Sequence, residues 1–523
     1  MIEINNIHGV TFSSVCNNIN DIYKRTGNKN VYEEVIDNLI MLKYSSDLDL
    51  IEYIKTLPLV QKRIAILSLM DNDHYSWDKL REKINGNRVS KVEHLKDLIK
   101  MFRDFIKIAE VERKRHGEIM TPMDELARPM VDLVEKYDEN FWKNPDHKVL
   151  DSSAGIGTFL IICAAKFMNG LKDWQPDPEL RFKHIIENCL YYGELQSRNA
   201  FLWLCAIDPY DEYKTNTYWG SFLDDGFNQH MKNVWNVDKF DLIIQNPPYQ
   251  EQKETDKNKT SKNPKTQPLW HIFVQKSLSL LDRDKYMVMV HPGGWRNSDG
   301  VFKETQNILK NKEMLFLKMH SFKDGLDLFG AKINFDYYIV RNSDNMGLLT
   351  RIICEDNTIE NIDISKVEFV PGENISEIFS MLATDDDEKI QMLHSYSAYE
   401  PRKNFMSKEK SDDNIFPCVY MVSHKNVPTF LWSTRNDRGH FGQSKVIWAS
   451  GSSGIILDNK GEYALTPFSC AIIDDQENLE NIKRALESDK FIKKIMLFKN
   501  GLGHKYNNKI ISMLKKDFWK SFM

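Results

Sequence analysis

The feature that most constrains the fold is an alternation of strand-like and helix-like segments between residues 113 and 345. Short apolar runs such as "HKVLDSS", "NCLYYGEL", "DLIIQN" and "YMVMVHP" predict strands. The longer segments "GTFLIICAAKFM", "SRNAFLWLCAI" and "LWHIFVQKSLSLL" predict helices between them. Strands that alternate with helices favour a parallel sheet covered by helices, so the predicted fold class is α/β. Ligands of such sheets bind outside the carboxyl ends of the strands.

The segments on either side have different patterns. Residues 1–112 place apolar side chains at helical spacing, for example in "VYEEVIDNLIMLKY", and predict an N-terminal helical region. Residues 346–523 mix strand-like pieces ("KVEFV", "SKVIWAS", "SGIILD", "CAIID") with turns, and then reach the helical stretch "ENLENIKRALESDKFIKKIMLF". A chain of 523 residues is too long for one core. These changes predict three parts, 1–112, 113–345 and 346–523, of which the last is an α+β domain.

Charge and cysteine usage narrow the class of protein. Residues 401–523 carry 20 Lys and Arg against 13 Asp and Glu, a local charge of +7, whereas the first 400 residues carry −12. A basic C-terminal part suits a polyanionic partner, although uneven surface charge explains it equally well. There is no apolar run of about 18 residues and no signal peptide in "MIEINNIHGV", so we expect a cytoplasmic protein without a membrane partner. The seven scattered cysteines predict reduced thiols, with neither a zinc site nor disulfides.

A glycine turn follows the first predicted strand in "VLDSSAGIGTFLI", residues 149–161. Asp151 ends the strand, and Gly155 and Gly157 let the backbone approach a ligand at the start of a helix. Such a turn suits a nucleotide-type cofactor, but it lacks the dinucleotide and phosphate-loop fingerprints, which disfavours NAD and ATP. Glu194, at the end of the next predicted strand, is placed to accept hydrogen bonds from ribose hydroxyls. A structural turn and a solvated strand-end glutamate are the alternatives.

The strand "KFDLIIQ" runs directly into Asn246, Pro247, Pro248 and Tyr249. The Asn246 side-chain oxygen can accept a hydrogen bond from an amine. The two prolines lack N–H groups, which leaves a backbone carbonyl as a second acceptor, and the Tyr249 ring offers a face for a planar base. Two acceptors beside a ring form a receptor for an amino group on a flat heterocycle, and they would localise its lone pair for attack.

Asn-Pro-Pro-Tyr after a buried strand resembles the signature of S-adenosylmethionine-dependent DNA amino-methyltransferases of bacterial and phage restriction–modification systems. The segment "RHGEIMTPMDELARPMVDLV", 115–134, resembles the family's Gly-Glu-x-x-Thr-Pro segment. The order of that segment, the glycine turn, Asn-Pro-Pro-Tyr and a C-terminal recognition domain is similar to the gamma arrangement of N6-adenine enzymes. The motifs cover residues 115–345. The resemblance implies a Rossmann-like doubly wound methyltransferase sheet, and a C-terminal α+β target-recognition domain that binds DNA.

The resemblance also implies roles for individual residues. Those that would bind the cofactor S-adenosylmethionine are Thr121, Asp151, Gly155, Gly157, Glu194, Phe222 and Phe273, the last two as a sandwich around its adenine. Those that would hold the target amine and base are Asn246, Pro247, Pro248 and Tyr249, with Phe329, in a hairpin at 324–341, on the other face of the base. This chain departs from the family at Ser152, where a proline is usual, and at Ser221, where an aspartate usually precedes the phenylalanine.

The predicted function is methyl transfer from S-adenosylmethionine to the N6 amine of an adenine flipped out of duplex DNA. Lysines in 251–268 and the C-terminal candidates Arg435, Arg438 and Lys445 would contact DNA. Cytosine N4, RNA or a protein glutamine are alternative acceptors for the same motif. A non-catalytic DNA-binding protein that keeps the fold is the rival from another class. A separate restriction endonuclease is a possible partner, whereas no nuclease motif is visible in this sequence.

Overall fold

The computed structural model describes residues 56–57, 93–100 and 121–523, with gaps at 196, 209, 211, 251–266, 298–299, 450–453 and 496–507. The chain divides into two compact units: Met1–Ile352 with Asn361–Glu368, and Ile353–Glu360 with Phe369–Met523. Most of the predicted helical region 1–112 lies outside the described residues. Within that region, residues 93–100 are described and are helical. The functional roles assigned to 1–112, 113–345 and 346–523 stay predictions. No helix in the described part of the chain is long and apolar enough to cross a membrane.

The first unit alternates strands and helices as predicted. Its strands are β1 (Val149–Asp151), β2 (Leu190–Glu194), β3 (Asn216–Trp219), β4 (Phe240–Gln245), β5 (Leu281–Pro292), β6 (Lys312–His320) and β7 (Phe335–Asp344), followed by β8 (Thr350–Ile353) and β9 (Ile359–Ile362) at the sheet edge. Its helices are α1 (Arg128–Tyr137), α2 (Thr158–Gly170), α3 (Pro178–His184), α4 (Ser197–Ile207), α5 (Asp225–Asn233), α6 (Trp270–Leu280), α7 (Lys303–Asn311) and α8 (Phe322–Phe329). Every residue of β1 and β2 is buried, as in strands covered on both faces.

The sheet order β3-β2-β1-β4-β5-β7-β6-β8-β9 places the functional motifs. Strands β1 to β5 pair in parallel, and β7 pairs antiparallel with both β5 and β6. The chain moves from β1 towards β3 on one side and from β4 towards β5 on the other, so the order reverses between β1 and β4. This reversal confirms the predicted doubly wound sheet, and a ligand crevice is expected at the carboxyl ends of β1 and β4. The glycine turn follows β1, and Asn246 follows β4.

The second unit contains two four-stranded sheets, β10-β17-β14-β15 and β11-β13-β12-β16. The strands are β10 (Gln391–Leu393), β11 (Met406–Ser407), β12 (Phe416–Val422), β13 (Pro428–Ser433), β14 (Lys445–Ala449), β15 (Ile455–Asp458), β16 (Ala464–Leu465) and β17 (Ser469–Ile473). The helices are α9 (Ile375–Met381), α10 (Leu479–Glu487), α11 (Asp489–Ile495) and α12 (Asn508–Ile511). This confirms the predicted α+β class for the C-terminal part.

Two predicted elements were wrong. Residues 366–370, "KVEFV", form no strand, because a short 3-10 turn, Ile364–Lys366, takes up their start. The C-terminal stretch is helical as predicted in its described part, where it forms two helices because Ser488 between them has an extended backbone (ψ 139°). The predicted hairpin at 324–341 is the helix α8 followed by β7. Ser321 and Asp324 form a capping box at the start of α8, and Gly330 ends it in the left-handed conformation.

Candidate functional site

The glycine turn is fastened to the end of β2. The Ala154 N–H donates to the Gly193 carbonyl at 3.0 Å, and the Gly155 N–H donates to Glu194 Oε2 at 2.8 Å. The Tyr192 hydroxyl donates to the Gly155 carbonyl. The predicted cofactor residues Gly155 and Glu194 are therefore in direct contact, although they are 39 positions apart in the sequence.

The two glycines of the turn both have left-handed backbones, with φ of 53° at Gly155 and 93° at Gly157. A Cβ added at Gly155 would meet no atom within 4 Å, whereas one added at Gly157 would lie 2.2 Å from the ring of Trp203. Gly157 is required by packing inside the protein. Gly155 borders open space, which is where a ligand can approach the backbone.

Asp151 carries a buried oxygen with no partner. One carboxylate oxygen accepts from the Ser153 N–H at 3.1 Å, and the other, Oδ2, has no hydrogen-bond partner among the described residues. Burial, and to a lesser extent the charge of Glu194, raise the pKa of the Asp151 carboxyl well above its ordinary value. A cationic or N–H-bearing ligand would satisfy this oxygen and favour the charged form. The residues of this crevice thus fit S-adenosylmethionine, which carries an ammonium and a sulfonium.

Asn246 is held by two hydroxyl groups. Its side-chain Nδ2 donates to Thr121 Oγ1 at 3.1 Å, and its backbone carbonyl accepts from Ser153 Oγ at 3.1 Å. Its Oδ1 is buried and has no partner among the described residues. Among the described residues, no N–H or O–H group donates a hydrogen bond to the Pro247 carbonyl. Asn246 Oδ1 and the Pro247 carbonyl are thus both without a donor among the described residues, and their action as a pair of acceptors stays a prediction.

The prolines and Tyr249 complete this segment. Pro247 is buried and Pro248 is exposed. Tyr249 is half-buried, its hydroxyl has no partner among the described residues, and burial raises the hydroxyl's pKa above its ordinary value. The Tyr249 carbonyl accepts from the Leu269 N–H at 3.2 Å. The predicted DNA-contacting lysines of 251–266 lie outside the described residues.

Buried polar side chains connect the glycine turn after β1 to the end of β4, the strand that precedes Asn246. The Ser152 hydroxyl donates to the Gln245 side-chain oxygen, and Gln245 Nε2 donates to Ser277 Oγ at 2.6 Å. Gln245 and Ser277 are fully buried. Ser152, the residue that replaces the usual proline, therefore links the turn after β1 to the end of β4 and to α6. Sequence reasoning missed Ser153, Gln245 and Ser277, and only their hydroxyl and amide groups next to the motifs could have indicated them.

The predicted adenine sandwich is not formed in this structure. The rings of Phe222 and Phe273 lie 5.2 Å apart between centroids at 33°, and both residues are buried. A base held between two rings needs them about 7 Å apart, twice a van der Waals contact of about 3.5 Å. The two rings instead contact each other, with Lys276 Nζ 5.0 Å from the centre of Phe222. Cofactor binding by this pair stays a prediction, and it requires one ring to move or the base to lie at their edge.

Phe329 is also packed within the protein. It is the last residue of α8, is 3% exposed, and meets the ring of Phe335 edge-on at 4.8 Å. Phe335 in turn stacks on His320 at 4.2 Å. Stacking of Phe329 on a substrate base stays a prediction.

Lys445 was wrongly predicted as a DNA contact. Its side chain is fully buried in β14, where Nζ lies 2.8 Å from Asp458 Oδ2 and donates to the His440 and Gln443 carbonyls. The two residues are paired across β14 and β15, so each charge is neutralised inside the unit. Arg435 and Arg438 are partly exposed, and each lies 5.8 Å from the ring centre of Phe405. They remain available as candidate DNA contacts.

Buried histidines make the first unit sensitive to acid. His291, at the end of β5, is stacked on Trp270 at 4.1 Å and hydrogen-bonded to the Tyr338 hydroxyl at 2.8 Å. Burial lowers the His291 pKa to about 3, so the fold holds the neutral ring. The unfolded chain binds a proton near pH 6.5. The stability that His291 contributes is therefore complete above about pH 6.5 and is lost as the pH falls towards 3.

We expect the free energy of unfolding to fall by about 2 kcal/mol per such histidine between pH 7.5 and 5.0. His291→Gln keeps a neutral polar side chain without a titrating group, and it should flatten the pH dependence by that amount. The measurement is the midpoint of urea unfolding, followed by tryptophan fluorescence at both pH values. An unchanged pH slope in the variant would show that His291 is not the titrating group.

The comparisons with known proteins agree with the motifs. Residues 179–329 match the Eco57I restriction-modification methylase family, a range that contains Asn246 and ends at Phe329. An uncharacterized adenine-specific methylase from Mycoplasma pneumoniae is 24% identical over 307 residues, which are 46% of this chain and 70% of the relative.

Two solved structures are also similar. The methyltransferase subunit of a type I restriction-modification system from Streptococcus thermophilus is 12% identical (TM-score 0.38), with 68% of this chain and 72% of that chain covered. The type IIG restriction endonuclease BpuSI is 10% identical (TM-score 0.43), with 98% and 75% covered. The assignment rests on the family match and the Mycoplasma relative rather than on these structures. The family match and the Mycoplasma relative both support the class predicted from the sequence, an S-adenosylmethionine-dependent DNA adenine methyltransferase of the restriction–modification type.

Proposed function

We propose that this protein transfers the methyl group of S-adenosylmethionine to the N6 amine of an adenine that has been flipped out of duplex DNA at a specific site. The observation that carries the proposal is the buried Oδ1 of Asn246, which has no hydrogen-bond partner among the described residues. A buried acceptor without a donor costs about 1–3 kcal/mol, which a substrate amine would recover.

The cofactor would lie at the carboxyl ends of β1 and β2. S-adenosylmethionine supplies an electrophilic methyl group when it is bound. Asp151 Oδ2 would accept from or pair with the methionine ammonium, and the open space at Gly155 would admit the ligand against the turn. Glu194, already on the Gly155 N–H, would contact the ribose hydroxyls. Thr121, Phe222 and Phe273 complete the residues that the family resemblance assigns to the cofactor.

The amine would be held by two acceptors of fixed geometry. Asn246 Oδ1 would accept a hydrogen bond from one N–H of the amine and the Pro247 carbonyl from the other. The lone pair of the amine nitrogen would then be free to attack the methyl group. An amide oxygen accepts a hydrogen bond but does not take up a proton at neutral pH. The proton released after methylation would therefore leave to water, and no protein base is needed.

The base would be held by ring contacts. Tyr249 is half-buried at the end of the motif, and stacking of a base on such a ring is worth about 1–3 kcal/mol. The Tyr249 hydroxyl is buried and has no partner in the described part of the chain, and the ring is the part of the side chain that would stack on the base.

DNA would be bound outside the base site as well. Chemistry on a base in a duplex requires that the base leave the stack. In the second unit, Arg435 and Arg438 flank Phe405 on an exposed surface and would contact the DNA backbone or base edges. Arg435 is also paired with Asp437, whose carboxylate fixes the guanidinium plane.

Nucleoside mass spectrometry tests the proposal. DNA from methylation-deficient cells that express the protein is hydrolysed and compared with DNA from cells that carry the empty vector. We expect N6-methyladenine in the first sample alone. Detection of N4-methylcytosine would support the same site but would make cytosine the target base. A soluble protein that binds S-adenosylmethionine but yields neither base would overturn DNA as the acceptor.

A further inference from the structure

We infer that Thr121 is a positioning residue that orients the Asn246 amide so that its oxygen, rather than its nitrogen, faces the target amine. This inference rests on the proposed function. The Thr121 hydroxyl is 3.1 Å from Asn246 Nδ2, and the residue is 9% exposed. The family resemblance places Thr121 on the cofactor, so a role on the acceptor side is additional to that assignment.

The two ends of an asparagine amide are nearly the same size but opposite in hydrogen bonding. If the nitrogen faced the substrate, two N–H donors would meet and the amine could not be held. If the oxygen faces the substrate, the Nδ2 group needs an acceptor on its other side. A threonine hydroxyl can accept from Nδ2 or donate to Oδ1, and in this structure the Thr121 hydroxyl accepts from Nδ2, which leaves Oδ1 for the substrate.

The rest of Asn246 is already fixed. Its backbone carbonyl accepts from Ser153 Oγ, and the preceding residue, Gln245, is tied through its side chain to Ser152 and Ser277. The main chain at the end of β4 therefore has little freedom. The side-chain torsions of Asn246 are the remaining degrees of freedom, and Thr121 is the described residue that hydrogen-bonds its amide.

Thr121→Val removes the acceptor and keeps the shape of the side chain. In the productive orientation Nδ2 would then be a buried donor without a partner. We expect the single-turnover rate of methyl transfer, at saturating S-adenosylmethionine and DNA, to fall about tenfold or more. The dissociation constant for S-adenosylmethionine, measured by calorimetry, should stay within about twofold. Thr121→Ser, which keeps the hydroxyl, should restore the rate.

The matched control is Thr305→Val, the same substitution at a fully buried threonine in α7 whose hydroxyl has no partner among the described residues. It should leave the rate unchanged. A Thr121→Val enzyme with an unchanged rate would overturn the inference, and a raised dissociation constant with an unchanged saturated rate would place Thr121 on the cofactor alone. Failure of the wild-type protein to methylate any base would instead overturn the proposed function.

Discussion

Asn246→Ala is expected to lower the rate of methyl transfer by about 10²- to 10³-fold, the cost of removing one preorganised polar group from a catalytic site. The substitution removes Oδ1, the buried acceptor that is unpartnered among the described residues. It also frees the Thr121 hydroxyl, which loses its contact at 3.1 Å. The Pro247 carbonyl remains, but a single acceptor cannot fix both N–H groups of the amine, so its lone pair stays delocalised into the ring.

The same variant should keep its binding properties. The hydrogen bond described between Asn246 and the glycine turn joins its backbone carbonyl to Ser153 Oγ, and alanine retains that carbonyl. S-adenosylmethionine should therefore bind within a few-fold of the wild type in calorimetry, and DNA should still bind in a gel-shift assay. Methylation is measured by transfer of a labelled methyl group to unmethylated plasmid DNA.

The control for Asn246→Ala is Asn233→Ala, at the exposed end of α5. This removes the same chemical group from the same unit without touching the site, and it should transfer methyl groups at the wild-type rate. If Asn246→Ala kept more than a tenth of the wild-type rate, the amide would not be the group that holds the amine. The search for the acceptors would then move to the backbone of Pro247 and Pro248.

The parts of the site that could be predicted are those encoded by neighbouring residues. The apolar run before Asn246 is a buried strand because parallel strands covered on both faces are continuously apolar. The prolines that follow cannot continue the sheet. The same logic identified Asp151, Gly155 and Gly157, since a short strand, a glycine turn and a helix start lie within thirteen residues.

The parts that could not be predicted are contacts between distant residues. Thr121 and Asn246 are 125 positions apart, and nothing in either segment encodes their pairing. Lys445 was predicted as a DNA contact within a basic segment, but its burial depends on Asp458 in the neighbouring strand. The helix α8 is different, because Ser321 and Asp324 form a capping box that the sequence displays and that the family resemblance to a hairpin obscured.

The second large effect is expected at Gly157. Gly157→Ala would place a methyl group 2.2 Å from the ring of Trp203. That ring is 2% exposed and stacks on Tyr192 at 5.2 Å and 5°, so it has no space into which to turn. Overpacking and the left-handed backbone together should cost about 3–5 kcal/mol. A fall in the melting temperature of the first unit of about 10 °C is the expected result in differential scanning fluorimetry.

Gly155→Ala, two residues away, is the matched control for Gly157→Ala and separates stability from ligand binding. Its backbone is also left-handed, but the added methyl group meets no protein atom within 4 Å, so the cost in stability should be only about 1–2 kcal/mol. If the open space beside Gly155 is where S-adenosylmethionine lies, this variant should bind the cofactor at least about tenfold more weakly while remaining folded. Unchanged affinity would place the cofactor elsewhere along the turn. Equal melting temperatures for the two variants would mean that Trp203 does not confine Gly157.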